Sequence, residues 1–340
     1  MNLETTAKVK KLLNSSKNIV VVGHNNPDGD AIGSCLGLAN YLNQKGHQVD
    51  IIMPNDFPGF LKWIPEASSI INHEIDSEKS KKAISQADLI FTLDFNSLDR
   101  TGELQKYLEN ATAKIFMIDH HLQPDTYATA MYSDDTMCST SEMVYHFIEA
   151  LDDLQFLNKQ IATQLYVGIM TDTGSFRFPA TTSTTHRVVA NLIDKGAENT
   201  IIHQNVYDTN SLERIKLLGL ALKNLIVLPE FNTAYISLSK DELNALNFNK
   251  GDTEGFVNYA LSMQGIVFAV IFIEGANDNI IKMSLRSKGD FSVNDFAYKH
   301  FNGGGHTNAA GGKSYKSLSE TISHFIDILP NYKEALSNES

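Results

Sequence analysis

Four segments of this 340-residue chain place aspartate and histidine directly after apolar runs. The segments are His24 to Asp30, Asp94, Asp119-His120-His121 and Asp172, and the runs before them are Ile19–Val22, Leu89–Leu93, Lys114–Ile118 and Tyr166–Met170. If each run is a strand of one parallel sheet, the acidic residues meet at its carboxyl edge, where such folds bind ligands. Carboxylates crowded at one edge repel one another unless they are neutralised.

Two divalent cations would neutralise this cluster. The carboxylates of Asp28, Asp30, Asp94 and Asp172 balance the positive charge of two such ions. Carboxylate oxygens mixed with neutral imidazole suit Mn²⁺ or Mg²⁺, and the segments contain no thiolate that would favour a softer ion. Two ions about 3.5–4 Å apart clamp a phosphate for in-line displacement. The predicted chemistry is therefore phosphoester hydrolysis at a two-metal centre that holds Mn²⁺ or Mg²⁺.

Each segment taken alone has a simpler interpretation. An aspartate at the end of a strand usually caps the next helix, and Pro27-Asp28-Gly29-Asp30 by itself is typical of a turn. A histidine pair is usually a surface or packing feature. The joint placement of all four segments favours a metal site over these interpretations. His186, which follows Asp172 at a short distance, is left undecided between the two.

The elements that must position these residues alternate in type along the first half of the chain. Strand candidates are Ile19–Val22, Val49–Met53, Leu89–Leu93, Lys114–Ile118 and Tyr166–Met170, and helix candidates include Ala31–Lys45 and Ser139–Leu151. Such alternation is typical of an α/β fold with a mostly parallel sheet and helices on both faces. We expect a five-stranded metal-binding catalytic domain at residues 1–188, a helical linker at 189–225, and a smaller mixed α/β domain at 226–332.

Composition and charge narrow the substrate class. The chain has 28 basic and 40 acidic residues, and its formal net charge is −12. Because long nucleic acid is held mainly by basic residues that neutralise phosphates, the expected ligand is a small phosphorylated molecule. The apolar runs fall short of the roughly 20 residues that a membrane span needs. Cys35 and Cys138 are expected to be buried and reduced, which favours a cytoplasmic protein.

The chain closely resembles the DHH phosphoesterases. Asp119-His120-His121 is the motif that names the family, and three other motifs match in order: His24-x-x-Pro27-Asp28-Gly29-Asp30, Asp94, and Thr171-Asp172-Thr173-Gly174. Ser284-Leu285-Arg286-Ser287 and Gly303-Gly304-Gly305-His306 resemble the DHH-associated domain. Length and domain pairing are most similar to the nanoRNase branch. Its members are oligoribonucleases that also remove the 3′-phosphate of adenosine 3′,5′-bisphosphate.

The resemblance implies a division of the metal ligands. One Mn²⁺ is expected to be held by His24, Asp28 and Asp94, and the other by Asp30, Asp94, His120 and Asp172, so that Asp94 bridges them. Asp119 is expected to orient His120, since ligating histidines usually need such a partner. His121 is expected to face the scissile phosphate as a hydrogen-bond donor or general acid.

The second domain is expected to bind substrate through Arg286, Gly303, Gly304, Gly305 and His306. The glycines would bring bare backbone N–H groups close to a phosphate or base. Arg286 offers a planar fork for phosphate, and His306 would hydrogen-bond a phosphate or stack on a base. This domain would close over the far end of a short oligonucleotide or nucleotide and limit its length. The resemblance also implies a homodimer.

Other functions share parts of this pattern. Phosphodiesterases of linear or cyclic di-adenosine monophosphate carry the same motifs, and family II pyrophosphatases share the metal motifs but have a different second domain. RecJ-type exonucleases act on long single strands, against which the acidic balance argues. From a different class, a non-catalytic nucleotide-binding sensor is expected to have lost at least one ligand position, whereas all of them are retained in this sequence.

Overall fold

The computed structural model describes residues 1–15, 17–249, 251–275 and 280–337. Contacts within the chain divide it into unit 1, Met1–Thr209, and unit 2, Asn210–Ser340. Over the described ranges, no helix combines the length and apolar character needed to cross a bilayer. Cys35 and Cys138 are buried free thiols, as predicted.

Unit 1 is built on a parallel sheet. Its six strands within the described residues are β1 (Asn18–Val22), β2 (Gln48–Met53), β3 (Ile71–Asn72), β4 (Leu89–Leu93), β5 (Lys114–Asp119) and β6 (Ala130–Ser133). The spatial order is β3-β2-β1-β4-β5-β6, and each neighbouring pair is parallel. From β1 the strands β2 and β3 follow on one side of the sheet, and β4, β5 and β6 then follow on the other side. The point where the strand order reverses, between β1 and β4, is where open α/β sheets bind ligands.

Helices cover both faces of this sheet. They are α1 (Leu3–Leu12), α2 (Gly29–Gln44), α3 (Ser77–Gln86), α4 (Gln105–Glu109), α5 (Thr140–Ala150), α6 (Lys159–Asp172), α7 (Ser183–Asp194) and α8 (Asn199–Tyr207). Ile19 and Val21 of β1 pack into one hydrophobic cluster, and Val20 and Val22 pack into another. Successive side chains of a strand point to opposite faces, so each face of the sheet has its own core. The predicted α/β architecture is confirmed.

The predicted strand Tyr166–Met170 is wrong, because this run lies inside α6. Short buried apolar runs do not distinguish strand from helix by periodicity alone. Here the side chain of Asn158 caps the helix by accepting from the amide of Ile161 at 3.0 Å, and every residue from Ile161 to Met170 is buried. The sheet of unit 1 has six strands in the described chain rather than five, since β3 and β6 are too short to give a pattern.

Glycines allow α6 to pack closely against α2. A Cβ atom on Gly33 would lie 2.5 Å from the carbonyl oxygen of Gln164, and one on Gly29 would lie 2.3 Å from Oγ1 of Thr171. A Cβ atom on Gly168 would lie 1.9 Å from Oγ of Ser141. Contacts this short exclude any larger residue unless the neighbouring atoms move. The start of α2 therefore lies beside the end of α6, which is where the acidic residues of both helices are found.

Unit 2 contains a mixed sheet. Its described strands are β7 (Ile226–Leu228), β8 (Thr233–Leu238), β9 (Phe268–Glu274), β10 (Ile281–Ser287), β11 (Gly304–His306) and β12 (Ala309–Ser314), in the order β11-β12-β10-β9-β8-β7. Only the β8–β9 pair is parallel among these strands. The helices are α9 (Leu212–Lys223), α10 (Lys240–Ala245), α11 (Phe256–Leu261), α12 (Val293–His300), α13 (Leu318–Ile328) and α14 (Lys333–Ser337). The range expected as a linker, 189–225, contains α8, which belongs to unit 1, and α9, which belongs to unit 2.

Candidate metal centre

The acidic and histidine residues of unit 1 lie at the ends of three strands and two helices. His24 follows β1, Asp94 follows β4, and Asp119 ends β5 immediately before His120 and His121. Asp28 is the N-cap of α2, Asp30 lies in the first turn of that helix, and Asp172 is the last residue of α6. The structure therefore brings together all the residues of unit 1 that the sequence identified, but it delivers Asp172 from a helix and not from a strand.

The donor atoms form two overlapping groups. Nε2 of His24 lies 3.5 Å from Oδ2 of Asp94 and 4.0 Å from Oδ1 of Asp28. Nε2 of His120 lies 3.4 Å from Oδ2 of Asp172, 3.5 Å from Oδ1 of Asp94 and 4.0 Å from Oδ2 of Asp30. All five separations are longer than the usual range of about 2.7–3.2 Å for an N–H···O hydrogen bond. Within each group the donor atoms lie within 4.8 Å of one another, which is close enough to share a cation. One group is His24, Asp28 and Asp94, and the other is Asp30, His120 and Asp172.

The charge of the cluster fits divalent cations. Asp30, Asp94 and Asp119 are buried, and within the described chain their ion-pair partners are histidines, not lysine or arginine. Oδ2 of Asp119 is buried and has no hydrogen-bond partner among the described residues. Buried carboxylates are normally paired or coordinate metals. The donor set of carboxylate and imidazole groups is one that binds ions such as Mn²⁺ and Mg²⁺.

The shifted pKa values of Asp30, Asp94 and His120 indicate an excess of negative charge in the cluster. Burial, and then the neighbouring charges of Asp94 and Asp172, raise the pKa of Asp30 well above its usual range. Burial alone would raise the pKa of Asp94, but its interactions with His120 and His24 hold that pKa well below its usual range. Burial opposes protonation of His120, yet Asp94 and Asp172 raise its pKa well above the ordinary value. Protons or cations are therefore held strongly here.

Asp94 has an unusual backbone conformation. Its φ is +65°, in the left-handed region that non-glycine residues seldom adopt. Its amide donates to the carbonyl of Ile118 on the neighbouring strand at 3.1 Å, which fixes this conformation. Strain of this kind persists where the surrounding structure enforces it, often at functional sites. Here it places the two carboxylate oxygens toward different histidines, Oδ2 toward His24 and Oδ1 toward His120.

The start of α5 contributes residues that sequence reasoning missed. The amides of Thr140 and Ser141 donate to Oδ2 and Oδ1 of Asp30 at 2.6 and 2.8 Å. The buried hydroxyl of Thr140 also donates to Oδ1 of Asp94 at 3.0 Å. The sequence does place a helix start near Ser139, but it carries no signal that these amides meet an aspartate more than one hundred residues away. Thr140 therefore connects Asp30 and Asp94.

The prediction that Asp119 orients His120 is wrong. Nδ1 of His121 lies 2.7 Å from Oδ1 of Asp119, whereas Nδ1 of His120 lies 3.1 Å from the carbonyl oxygen of Met137. Side chains two residues apart on an extended chain point to the same side, so Asp119 faces His121 at the end of β5. Met137 takes the orienting role for His120. His186 is in none of the metal-binding groups of the described chain, and its ring lies 6.0 Å from that of Phe176.

In unit 2, Arg286 and His306 lie on one face of the sheet. Arg286 of β10 and His306 of β11 are both paired with Ala309 of β12, one on each side. Residues opposite one another on adjacent strands point to the same face, and neighbouring strands are about 4.8 Å apart. The small side chain of Ala309 therefore separates two groups that are suited to binding a phosphate or a base.

The glycines beside His306 have a packing role. A Cβ atom on Gly303 would lie 2.0 Å from the carbonyl oxygen of Gly311, and one on Gly305 would lie 2.5 Å from that of Ala309. The amide of Gly303 donates to Ala297 at 3.2 Å, and that of Gly305 donates to Oδ1 of Asn294 at 2.7 Å. The expectation that bare amides reach a phosphate is therefore wrong for these two glycines, because both amides are already hydrogen-bonded within unit 2. Substrate binding at this segment stays a prediction.

Known proteins resemble this chain over most of its length. The bifunctional oligoribonuclease and PAP phosphatase NrnA of Bacillus subtilis is 30% identical over 298 residues, which is 87% of this chain and 89% of the relative. The crystal structure of an exopolyphosphatase-related protein from Bacteroides fragilis is 37% identical, with a TM-score of 0.95 over 99% of this chain and 98% of that one. The cyclic-di-AMP phosphodiesterase PdeA of Listeria monocytogenes is 24% identical over 95% of this chain, which corresponds to 49% of PdeA.

Two domain families match consecutive parts of the sequence. Residues 18–169 match the N-terminal domain of the DHH family, and this range ends within α6. Residues 233–334 match the DHHA1 domain and contain β8 to β12. The aspartate and histidine cluster lies in unit 1, and Arg286 and His306 lie in the second match. This chain belongs to the DHH phosphoesterase family of enzymes, and it carries both the DHH and the DHHA1 domain.

Proposed function

We propose that the chain is a Mn²⁺-dependent phosphoesterase that hydrolyses short oligonucleotides and dinucleotides to mononucleotides and dephosphorylates adenosine 3′,5′-bisphosphate. The observation that carries this proposal is the cluster of donor atoms from His24 to Asp172, which contains every residue that the family resemblance implies as a ligand. The oligoribonuclease and PAP phosphatase activities in the name of the Bacillus subtilis relative support the choice of substrates. A cytoplasmic location and a homodimer remain predictions.

Two ions would be held by different residues of the cluster. His24, Asp28 and Asp94 would hold one, and Asp30, Asp94, His120 and Asp172 would hold the other, which agrees with the two groups of donor atoms. Two divalent ions in such a site neutralise phosphoryl oxygens and lower the pKa of water. The hydrogen bonds from Thr140 and Ser141 would hold Asp30 and Asp94 in position for this role.

His121 would donate a proton to the leaving oxygen. With Nδ1 donating to Asp119, the other ring nitrogen, Nε2, faces away from that carboxylate. Asp119 then fixes the tautomer and stabilises the protonated ring, as the carboxylate does in catalytic histidine–aspartate pairs. This geometry supports assigning proton transfer to His121 and ring orientation to Asp119.

Unit 2 would select the substrate. Arg286 and His306 flank Ala309 on one sheet face, an arrangement suited to a phosphate or a base at the far end of a short nucleotide. Gly303, Gly304 and Gly305 keep the adjoining backbone free of side chains. Long nucleic acid is not expected as a substrate, because the net charge of the chain is −12.

A second candidate is the hydrolysis of linear or cyclic di-adenosine monophosphate. The specific observation in its favour is the similarity to PdeA over 95% of this chain. A non-catalytic nucleotide sensor is the candidate from another class, and binding without turnover would distinguish it.

The test is a parallel substrate assay with purified protein and Mn²⁺. The substrates are a dinucleotide, adenosine 3′,5′-bisphosphate, linear and cyclic di-adenosine monophosphate, pyrophosphate, polyphosphate and long single-stranded DNA. We expect turnover of the first two substrates, its loss with EDTA, and its loss in Asp94→Ala.

Asp208→Ala, which removes an exposed carboxylate after α8, is the matched control and should retain activity. Near-normal turnover by Asp94→Ala would contradict the metal assignment. Faster hydrolysis of cyclic di-adenosine monophosphate would favour the second candidate.

A further inference from the structure

Arg100 lies beside the metal centre in a short 3-10 segment, Leu98–Leu104, that follows β4. Its carbonyl oxygen accepts from the amide of Asn25 at 2.7 Å, and its own amide donates to Ser97 at 3.2 Å. The buried hydroxyl of Thr101 closes the segment by donating to Leu98 at 2.6 Å. The backbone of Arg100 is thus fixed against the residue that follows His24.

Arg100 is half-buried as a residue, and within the described chain its guanidinium makes no hydrogen bond or ion pair. Its charge nevertheless reaches the cluster. Burial and the charge of Arg100 both lower the pKa of His24, against the stronger raising effect of Asp94 and Asp28. A half-buried arginine next to carboxylates normally pairs with one of them. Arg100 lies near His24, yet it forms no ion pair within 4.0 Å with a carboxylate of the described residues.

The other two arginines of unit 1 differ from Arg100. Arg177 is exposed, and its Nε donates to the carbonyl oxygen of Gly174 at 2.8 Å. Arg187 is exposed on α7, where it donates to the hydroxyls of Ser183 and Thr184 at 3.3 and 3.0 Å. Both use their donors within their own segment. Arg100 keeps its donors available for a ligand while its backbone is held in place.

We propose that Arg100 binds the phosphoryl group on which the metal centre acts, whether that group is a phosphomonoester or a phosphodiester. This inference rests on the proposed function. A planar guanidinium matches two oxygens of one phosphate. Because the carboxylates of the cluster would neutralise the two metal ions, a charged substrate would still need a further cation. Because Arg100 belongs to unit 1, it would contact the reacting phosphate of every substrate. Arg286, in unit 2, would instead discriminate between substrates.

The test compares Arg100→Gln, Arg100→Lys and, as the matched control, Arg187→Gln. Each protein is saturated with Mn²⁺, and KM and kcat are measured for a dinucleotide and for adenosine 3′,5′-bisphosphate. The binding of inorganic phosphate is measured by calorimetry on the same samples. We expect Arg100→Gln to weaken phosphate binding and to raise KM for both substrates by about 10- to 100-fold, which is typical of a hydrogen bond to a charged group. Affinity for Mn²⁺ should not fall, since Arg100 is not a ligand and the loss of its positive charge cannot disfavour a cation.

Arg100→Lys should recover part of the phosphate binding, because it retains the charge but not the fork, and Arg187→Gln should match the wild type. If Arg100→Gln melts early, the lysine variant carries the comparison. Unchanged phosphate binding and unchanged KM in folded Arg100 variants would overturn the inference. If the wild type hydrolyses neither substrate, the proposed function fails, and phosphate binding to the Mn²⁺-loaded protein still tests Arg100 separately.

Discussion

Replacing Gly168 with alanine should destabilise unit 1 and disturb its metal centre. The added Cβ would lie 1.9 Å from Oγ of Ser141 and 2.7 Å from both Cβ of Ser141 and Oδ1 of Asp30. The Ser141 hydroxyl has no hydrogen-bond partner in the described chain and can rotate away. The other two atoms can move only at a cost, because Cβ of Ser141 is fixed to the backbone and Asp30 accepts hydrogen bonds from two amides.

The magnitude follows from two opposing effects. Overpacking a tight core costs about 1–3 kcal/mol, and more where the atoms cannot move, so we take about 3 kcal/mol. Alanine is better than glycine in a helix interior by about 1 kcal/mol. The net loss in the free energy of unfolding should therefore be about 2 kcal/mol. Affinity for Mn²⁺ should fall as well, because the movement displaces Oδ1 of Asp30.

Gly219 offers the matched control. It lies inside α9, and a Cβ atom there would meet nothing within 4 Å. Gly219→Ala should therefore stabilise unit 2 by about 0.5–1 kcal/mol through helix propensity alone. Urea unfolding followed by circular dichroism measures both variants, and titration calorimetry measures Mn²⁺ binding. A Gly168→Ala protein as stable as the wild type, or a Gly219→Ala protein that is destabilised, would refute the packing argument.

Three further perturbations test the metal centre. Asp119→Asn should lower kcat by about 10²- to 10⁴-fold and leave Mn²⁺ binding unchanged, because the substitution alters the partner of His121 and not a metal ligand. If titration shows an equal loss of Mn²⁺ affinity, Asp119 is a ligand. Thr140→Val should weaken Mn²⁺ binding by about 10- to 100-fold, whereas Thr140→Ser keeps the hydroxyl and should keep the affinity. If calorimetry gives equal Mn²⁺ affinities for the two variants, the hydroxyl of Thr140 does not position the ligands. Because the pKa of His120 is raised in the metal-free cluster, Mn²⁺ must displace a proton below that pKa. Its affinity should therefore rise between about pH 6 and about pH 8, and equal affinities at both would contradict this linkage.

The parts of the site that follow strands could be predicted from the sequence. His24, Asp94 and Asp119 come directly after buried apolar runs, and parallel strands bring their carboxyl ends to one edge. Asp172 was also expected at this edge, but through a strand that does not exist. Its position depends on the packing of α6 against α2, which is set by glycines far apart in the sequence. Tertiary contact, and not local pattern, placed this residue.

Hydrogen-bond partners were less predictable than residue positions. The donation from Thr140 to Asp30 joins segments that no local rule connects. The pairing of Asp119 with His121 follows from strand alternation, but a general rule about ligating histidines pointed to His120 instead. The amides of Gly303 and Gly305 looked available because sequence alone does not reveal strand register or the neighbouring α12.

The delivery of Asp172 by a helix adds a backbone contribution to cation binding. The aligned peptide dipoles of a helix give its C-terminal end roughly half a negative elementary charge, whereas strands have little net dipole. The C-terminal end of α6 lies at the cluster, so this partial charge attracts cations independently of any side chain. The opposite ends of α2 and α5 lie at the same place and stabilise the carboxylates of Asp28 and Asp30. The peptide backbone itself thus polarises this site, with its negative end toward the ions and its positive ends toward their ligands.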